Sequence, residues 1–347
     1  MIRRGVSMFA LAGAMAALLL AAPSAQAADD FYKGKTLRLI VGFSPGGGYD
    51  TYTRLIARHI SKYLPGNPTV LVQNMTGAGS LIAANYIAKR AKPDGLTGAV
   101  FNNSLIVQQA LGDKRIKVPF KTLEWVGAPS VGEITCMIMG FTGLKTLDDV
   151  LNAKIPLQVG SSRAGSTGYD IPAIMNKVMG TKFDLITGYA GTAKTRLALE
   201  SREVNAFCSQ WESMRVTARG MLDATGDNKL IPYITQSRRF MDPEVKDLPL
   251  FNEAIKDKKK LAIFEAWASQ MSFQRPLAVA PGTPQDRLEI LRTAYGKTLQ
   301  DPQLVAEAKK AKIAITYVPG PKVKELVGQI YNMPKEVKDS LSFLVRK

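Results

Sequence analysis

A glycine-rich stretch near the start of the chain has the residue types of an anion-binding loop. Gly46, Gly47 and Gly48 stand between a β-rich run, Thr36 to Phe43, and a segment with helical spacing, Thr51 to Leu64. Glycines leave backbone N–H groups uncovered, and the first N–H groups of a helix have no partner within it. Together with the helix dipole they favour a bound anion. The simpler alternative, a tight turn that needs glycine, stays open.

Two details refine this interpretation. Asp50 is placed to act as the N-cap of the helix that follows the glycines. The stretch matches neither GxxxxGK nor GxGxxG. The sequence therefore predicts neither a P-loop nor a dinucleotide site.

Loops of small polar residues also follow several other predicted strands. In an open α/β sheet, the loops beyond the carboxyl ends of the strands form the ligand crevice. Hydroxyl, amide and backbone N–H groups there would bind a carboxylate without a buried cation. The loops are Gly77-Ala78-Gly79, Asn102-Asn103-Ser104, Ser161 to Gly168 and Tyr189-Ala190-Gly191-Thr192.

Three larger side chains are further candidates for this crevice. Arg163 is the one cation inside such a loop, and a guanidinium can hold a carboxylate by two hydrogen bonds. Exposure at the surface is its alternative. Tyr189 and Trp211 would either wall a pocket or pack in a core.

The chain offers little for catalysis or metal binding. His59, the only histidine, lies within the first helical pattern, where a packed or rim residue is favoured over a general base. The two cysteines, Cys136 and Cys208, are too far apart in sequence for a metal-ligand motif. We predict no metal site, no cofactor and no enzyme. A disulfide between the cysteines and two separate buried thiols remain equally open.

Residues 1–27 have the pattern of a cleavable secretion signal. Arg3 and Arg4 precede the apolar run Met8 to Ala22, and Ala25-Gln26-Ala27 fits the cleavage rule. The run of about fifteen apolar residues is shorter than the roughly 20 of a membrane-spanning helix. We therefore expect the mature protein in the periplasm. The formal charge of +17 for the full chain comes from basic residues spread along the sequence, which favours a solvated surface over a nucleic-acid site.

The remaining residues are enough for two domains. Alternating strand and helix patterns predict parallel α/β architecture. A second unit opens near Ser130, and the strand at Leu277 to Ala280, with the helices after it, returns to the first unit. We therefore expect two α/β lobes joined by two crossovers. Lobe 1 would comprise residues 28–130 plus 260–347, and lobe 2 residues 131–259.

An ordered set of short motifs spans nearly the whole mature chain. The two longest are Leu37 to Asp50, with Pro45-Gly46-Gly47, and Val72 to Asn85, with Gly77-Ala78-Gly79. The others are Pro93-Asp94-Gly95, Pro119-Phe120, Gly188-Tyr189-Ala190-Gly191 and Ala280-Pro281-Gly282-Thr283-Pro284. In this order the motifs resemble those of the periplasmic receptors of tripartite tricarboxylate transporters, also called the Bug family. The first resembles the family's strand and P-G-G-x-x-D loop, and the second its E-N-x-x-G-A-G-G segment.

The resemblance implies a type II periplasmic binding protein fold, with a ligand cleft between the two lobes. It also implies that loops 44–50 and 161–167 hold one carboxylate of an organic acid. Tyr49, where the family usually has a small residue, and Arg163, where it usually has glycine, depart from the pattern. The predicted ligand contacts are Phe43, Ser44, Gly48, Tyr49, Asp50, Gly77, Ala78, Asn103, Ser161, Arg163, Ser166, Thr167, Tyr189 and Trp211.

The predicted function is capture of a small organic carboxylate, a dicarboxylate or related anion, for an integral-membrane permease. We expect a monomer that binds no nucleic acid. Two other functions stay open. The first is a receptor subunit that presents its ligand to a membrane sensor kinase. The second is a secreted hydrolase, which needs a general base that the sequence does not reveal.

Overall fold

The strands of this chain form two separate mixed sheets with helices around them. A computed structural model describes residues 31–236 and 243–345, so the predicted secretion signal, 1–27, lies outside the described residues. The strands are β1 (Thr36–Val41), β2 (Thr69–Asn74), β3 (Thr97–Val100), β4 (Glu124–Ala128), β5 (Ile134–Met139), β6 (Leu157–Ser161), β7 (Phe183–Thr187), β8 (Ala206–Gln210), β9 (Leu230–Thr235), β10 (Leu277–Val279) and β11 (Val318–Pro319).

Helices connect most of the strands and cover the sheets. Within the described ranges, none of them is both long enough and apolar enough to cross a membrane. The helices are α1 (Gly48–Ile60), α2 (Leu81–Lys89), α3 (Ser104–Ala110), α4 (Leu147–Leu151), α5 (Thr167–Met179), α6 (Thr192–Glu200), α7 (Trp211–Thr217), α8 (Arg219–Asp223), α9 (Phe251–Ala254), α10 (Lys258–Ala268), α11 (Gln285–Leu299), α12 (Pro302–Lys310), α13 (Gly320–Tyr331) and α14 (Lys335–Leu341).

The two sheets share one strand order. The first is β2-β1-β3-β10-β4-β11 and the second is β7-β6-β8-β5-β9, so five positions correspond and β11 is an additional edge strand of the first sheet. In each, the strand next to a crossover enters antiparallel between two others: β10 between β3 and β4, and β5 between β8 and β9. The prediction of two α/β lobes is confirmed. The sheets are mixed rather than purely parallel because these two strands are entered from the other lobe, and because the edge strand β11 also pairs antiparallel with β4.

The two crossover segments lie side by side between the sheets. The Gln274 N–H donates to the Ser130 carbonyl at 2.7 Å, and the Gly132 N–H donates to the Met271 carbonyl at 2.7 Å. Ser130 and Gln274 form an isolated antiparallel bridge. This narrow connection is where the lobes would hinge, because domain closure is absorbed by a few residues between elements.

The cores show which lobe the last part of the chain joins. Helices α11 and α12 pack against the first sheet, as the sequence predicted. Phe264 and Trp267 of α10 lie in the core of the second sheet, together with Leu341 and Leu344 near the end of the chain. The predicted limits placed all residues from 260 onward in lobe 1. The exact division of the chain between the two lobes stays a prediction. Since α13 packs on the first sheet, the chain passes between the lobes again before α14.

A disulfide joins two strands of the second sheet. Cys136 of β5 and Cys208 of β8 are paired directly in register, and their sulfurs are bonded. Both residues are buried in the core. Of the two alternatives that the sequence left open, the structure has the bonded one.

We expect the double variant Cys136→Ser, Cys208→Ser to lose about 2–4 kcal/mol of unfolding free energy. The bond connects residues 72 positions apart, so its removal gives the unfolded chain more conformational freedom. Guanidinium unfolding under non-reducing conditions measures the loss. Wild-type protein that has been reduced should show the same decrease, and a variant with the wild-type midpoint would contradict the prediction.

Candidate ligand-binding cleft

A small cavity lies between the two lobes, at the ends of strands from both sheets. Its volume is about 60 Å³. The walls combine glycines, hydroxyl side chains and amides with two phenylalanines and a tyrosine. The lining residues are Phe43, Gly47, Gly48, Tyr49, Asn102, Ser161, Ser162, Ser166, Thr167, Gly168, Gly191, Thr192, Thr195, Phe207, Cys208, Ser209, Gln210 and Ser213.

Three helices begin at this cavity. The N-cap residues of α1, α5 and α6 are Gly47, Ser166 and Gly191, and none of the three helices has a side-chain cap. The first residues of each helix line the cavity. Their uncapped N–H groups and helix dipoles favour an anion there. Since none of the described residues that line the cavity is charged, the backbone would be the anion's main direct partner.

Buried hydroxyls give a second, independent indication of a polar ligand. Tyr49 Oη and Ser213 Oγ belong to lining residues. Both atoms are buried, and neither has a close hydrogen-bond partner among the described residues, although the Gln210 side chain lies near enough to Tyr49 Oη to interact with it. Ser44 Oγ, beside Gly191 of the opposite lobe, is in the same situation. A buried polar group without a partner costs about 1–3 kcal/mol, and a bound anion that accepts from these hydroxyls would remove that cost.

Tyr49 is held in the neutral form. Burial raises the pKa of its hydroxyl to about 12, and this outweighs the opposing effects of Arg275 and Gln210. Its ring packs against Phe43 with the ring centroids 4.4 Å apart. At neutral pH the hydroxyl is therefore a protonated hydrogen-bond donor beside the start of α1.

The prediction that Asp50 caps α1 is wrong. The helix begins at Gly48, with Gly47 at the N-cap, so Asp50 lies in its first turn. Its carboxylate accepts from the Gly46 N–H at 2.9 Å and pairs with Arg54 at 2.9 Å. Burial acts to raise the pKa of Asp50, but hydrogen bonds from Arg54, Gly46 and Asn74 hold it below its usual value. Asp50 therefore braces the glycine loop from behind and does not line the cavity.

Arg163 bridges the lobes rather than lining the cavity. Its Nη2 lies 3.6 Å from Asp113 Oδ2 in the first lobe. Its aliphatic stem covers Gly79, where a Cβ would overlap it. Burial lowers the pKa of Arg163, against the opposing effect of Asp113. The loop that contains Gly77 and Ala78 thus packs against the Arg163 side chain and does not border the cavity.

Three other predicted residues also lie outside the lining. Asn103 donates through Nδ2 to the Gln270 carbonyl at 2.7 Å. Tyr189 donates to Glu203 at 2.7 Å. Trp211 is fully buried in the core of the second sheet.

The cavity lining contains six of the predicted contacts and adds residues that the sequence prediction omitted. The six are Phe43, Gly48, Tyr49, Ser161, Ser166 and Thr167. Several omitted residues belong to loops already recognised as polar. Phe207 to Gln210 and Ser213 were missed because β8 passes into α7 without an intervening loop. The polar pair Ser209 and Gln210 at the strand end was the only available sequence signal.

Direct contacts join the lobes around the cavity. The Ser44 N–H donates to the Ala190 carbonyl at 3.1 Å. Ser104 Oγ and Thr167 Oγ1 lie 3.3 Å apart. The structure therefore has the cleft in a closed arrangement.

His59 lies away from this cleft. Its Nε2 is 2.8 Å from Glu307 Oε2, on α12. In the part of the chain that the structure describes, no group of three or more His, Cys, Asp or Glu residues could hold a metal ion.

Comparisons with known proteins agree with the motifs. No family model matches the sequence. A UPF0065 protein of Agrobacterium vitis is 26% identical over 316 residues, covering 87% of this chain and 83% of that protein. Protein BugT of Bordetella pertussis is 31% identical over 170 residues, which are 48% of this chain and 50% of that protein. The chain is a homologue of the Bug and UPF0065 proteins.

Solved structures show the fold of this Bug homologue. The periplasmic binding protein BugD superposes with a TM-score of 0.70 at 19% identity, covering 88% of this chain and 98% of that one. MatC of Rhodopseudomonas palustris with bound malate gives 0.69 at 20% identity, with 88% and 99% covered. A Rhodopseudomonas palustris protein with adipate gives 0.69 at 18% identity, with 88% and 97% covered. The chain thus has the two-lobe α/β fold of periplasmic solute-binding proteins.

We expect Gly48→Ala to impair both binding and stability. A Cβ at Gly48 would overlap the Ser213 hydroxyl and lie 2.8 Å from Ser213 Cβ, and such overpacking costs about 1–3 kcal/mol. Gly47→Ala is the matched control, because its Cβ would have no neighbour closer than 3.5 Å. Thermal unfolding of both variants measures the difference. Adding Ser213→Gly should restore the first variant, and equal melting temperatures for the two single variants would contradict the overlap.

Asp170 is a buried carboxyl group at the junction between the lobes. Its Oδ2 accepts from Trp267 Nε1 at 3.0 Å and from Gln108 Nε2 at 3.3 Å. Gln108 belongs to the first lobe and Asp170 to the second. Burial raises the pKa of Asp170 to about 7, although Trp267, Arg163 and Gln108 oppose the shift.

The raised pKa predicts a pH dependence that Asp170→Asn should remove. Between about pH 4 and 7 the folded protein holds this proton and the unfolded chain does not. Wild-type stability should therefore fall through this range, relative to the variant, as pH rises. Melting temperatures of both proteins from pH 4 to 8 test this, since the other carboxylates are common to both. Parallel profiles would refute the assignment.

Proposed function

We propose that this Bug homologue is a periplasmic receptor that captures a small organic carboxylate, a dicarboxylate or related anion, for an integral-membrane permease. One observation carries the proposal. Three helices from two lobes begin, without side-chain caps, at one cavity that has no charged lining residue among those described. Such an arrangement suits an anion whose charge is taken up by backbone N–H groups.

The proposed binding sequence follows from this geometry. A carboxylate in the open cleft meets the N–H groups that follow Gly47 on the first lobe. Closure then brings the N–H groups after Ser166 and Gly191 to the same anion, and Tyr49 and Ser213 donate their hydroxyls. Because the ligand binds the closed form better, it shifts the population toward closure. The permease would recognise that closed shape.

Relatives and neighbours support the ligand class and the location. MatC binds malate and a second neighbour binds adipate, both of which are dicarboxylates. BugD is a periplasmic binding protein, in agreement with the predicted secretion signal. A ligand-binding rather than catalytic role is supported by the same neighbours, each of which is a binding protein or holds a bound acid.

Compact ligands should suit the closed cavity best. A buried water needs about 10–15 Å³, so about 60 Å³ holds only a few water-sized groups. Longer acids would require a less complete closure. Within the carboxylates, we therefore propose that short chains are preferred.

A screen of carboxylates by thermal shift, followed by calorimetry, tests the proposal. We expect short mono- and dicarboxylates to raise the melting temperature, because a ligand at 100 times its Kd adds about 2.7 kcal/mol to stability. Their uncharged amides should have no effect. Gly48→Ala should reduce the response. If no organic acid produces heat with the wild-type protein, the proposed function is wrong.

A further inference from the structure

A buried arginine lies at the hinge, outside the set of predicted ligand contacts. Arg275 stands in the return crossover just before β10 and is 1% exposed. Its φ of 57° is in the left-handed region, which is unfavourable for residues other than glycine. Its Nη1 donates to Ser130 Oγ of the other crossover at 2.7 Å. A costly backbone conformation thus holds a cation at the point where the lobes join.

The guanidinium lies directly behind the wall of the cavity. Its Nη2 is 3.5 Å from the position that a Cβ on Gly48 would occupy. The guanidinium carbon is 4.2 Å from the ring centroid of Tyr52 and 5.8 Å from that of Tyr49. Gly48 and Tyr49 both line the cavity. The start of α1 therefore lies between Arg275 and a ligand in the cavity.

The guanidinium of Arg275 is only partly satisfied. Arg275 and Glu212 act on Tyr52 with opposite electrostatic effects, so a carboxylate also lies in this region. Arg275 Nε and Nη2 are buried without hydrogen-bond partners among the described residues. A buried cation is costly unless an opposite charge compensates it. The lining residues offer no such charge, whereas a bound carboxylate would.

We propose that Arg275 is the buried counter-ion of the bound carboxylate, acting through the start of α1 and the Tyr49 hydroxyl rather than by direct contact. In this role it is a positioning residue that makes the site select anions over neutral molecules of the same shape. The inference rests on the proposed function, because it concerns the ligand of the same cavity.

A purely structural role for Arg275 predicts different behaviour. The bond to Ser130 would then pin the two crossovers together, and loss of the guanidinium would weaken the fold without changing the ligand's charge preference. The counter-ion role predicts the reverse. Replacement by a neutral side chain of similar length should spare the fold and remove the preference for anions.

Calorimetry with malate and its uncharged diamide distinguishes these roles. We expect Arg275→Met to weaken malate binding roughly tenfold or more, with little change for the diamide. Arg275→Lys keeps the charge and should restore most of the malate affinity. Arg287→Met is the matched control, because Arg287 also stacks on an aromatic ring, that of Phe31, and donates to the Asp94 carbonyl away from the cavity. Unchanged malate affinity in Arg275→Met would overturn the proposal.

The ligand-free melting temperature gives a readout that needs no ligand. In anion-poor buffer Arg275→Met should melt at the wild-type temperature or above it, because a buried guanidinium with two unpartnered nitrogens has been removed. A lower melting temperature in the variant would identify a structural pin and refute the counter-ion. If wild-type protein binds no carboxylate, the proposed function fails and the counter-ion role fails with it, whereas unchanged malate binding in Arg275→Met overturns the counter-ion role alone.

Discussion

The convergence of three helix N-termini on one point is the constraint on which the rest of the structure depends. N–H groups at a helix start need partners, and three helix dipoles whose positive ends lie at one cavity favour negative charge there. A side-chain cap on each helix would satisfy the N–H groups but would also fill the cavity. Glycine at Gly47 and Gly191 leaves that space free for a ligand.

Residues around the cavity are arranged to keep this site open and in position. Asp50 accepts a hydrogen bond from Gly46 of the glycine loop, and Asn74 and Arg54 hold the Asp50 carboxylate in place. The loop is therefore held without a cap that would occupy the cavity. The cross-strand disulfide fixes β8, whose carboxyl end forms the opposite wall. The stabilising contacts thus lie outside the cavity, while hydrogen-bond donors without a partner remain at its wall.

Closure depends on contacts that differ in kind from those at the cavity. Arg163 with Asp113, and Asp170 with Gln108, join the lobes beside the cleft, whereas the crossovers at Ser130 and Gln274 join them at the hinge. The buried carboxyl of Asp170 is favourable at this junction only while it holds its proton or lies close to compensating donors. The charge of the ligand, the charge of Arg275 at the hinge and the polar contacts between the lobes therefore all contribute to the electrostatics of closure.

The sequence by itself determined the alternation of strands and helices, the two-lobe fold and the glycine loop at α1, because hydrophobic periodicity and glycine placement are local properties of the chain. It also identified six residues of the cavity wall, all of which stand at the junctions where β1 passes into α1 and β6 passes into α5. Only the tertiary structure decided the rest. The direction of β5 and β10, the pairing of Cys136 with Cys208, and the placing of Arg163 against Asp113 all depend on which distant segments meet. Arg275 lies more than 220 positions from Gly48 along the chain, and no local pattern could place its charge behind that glycine.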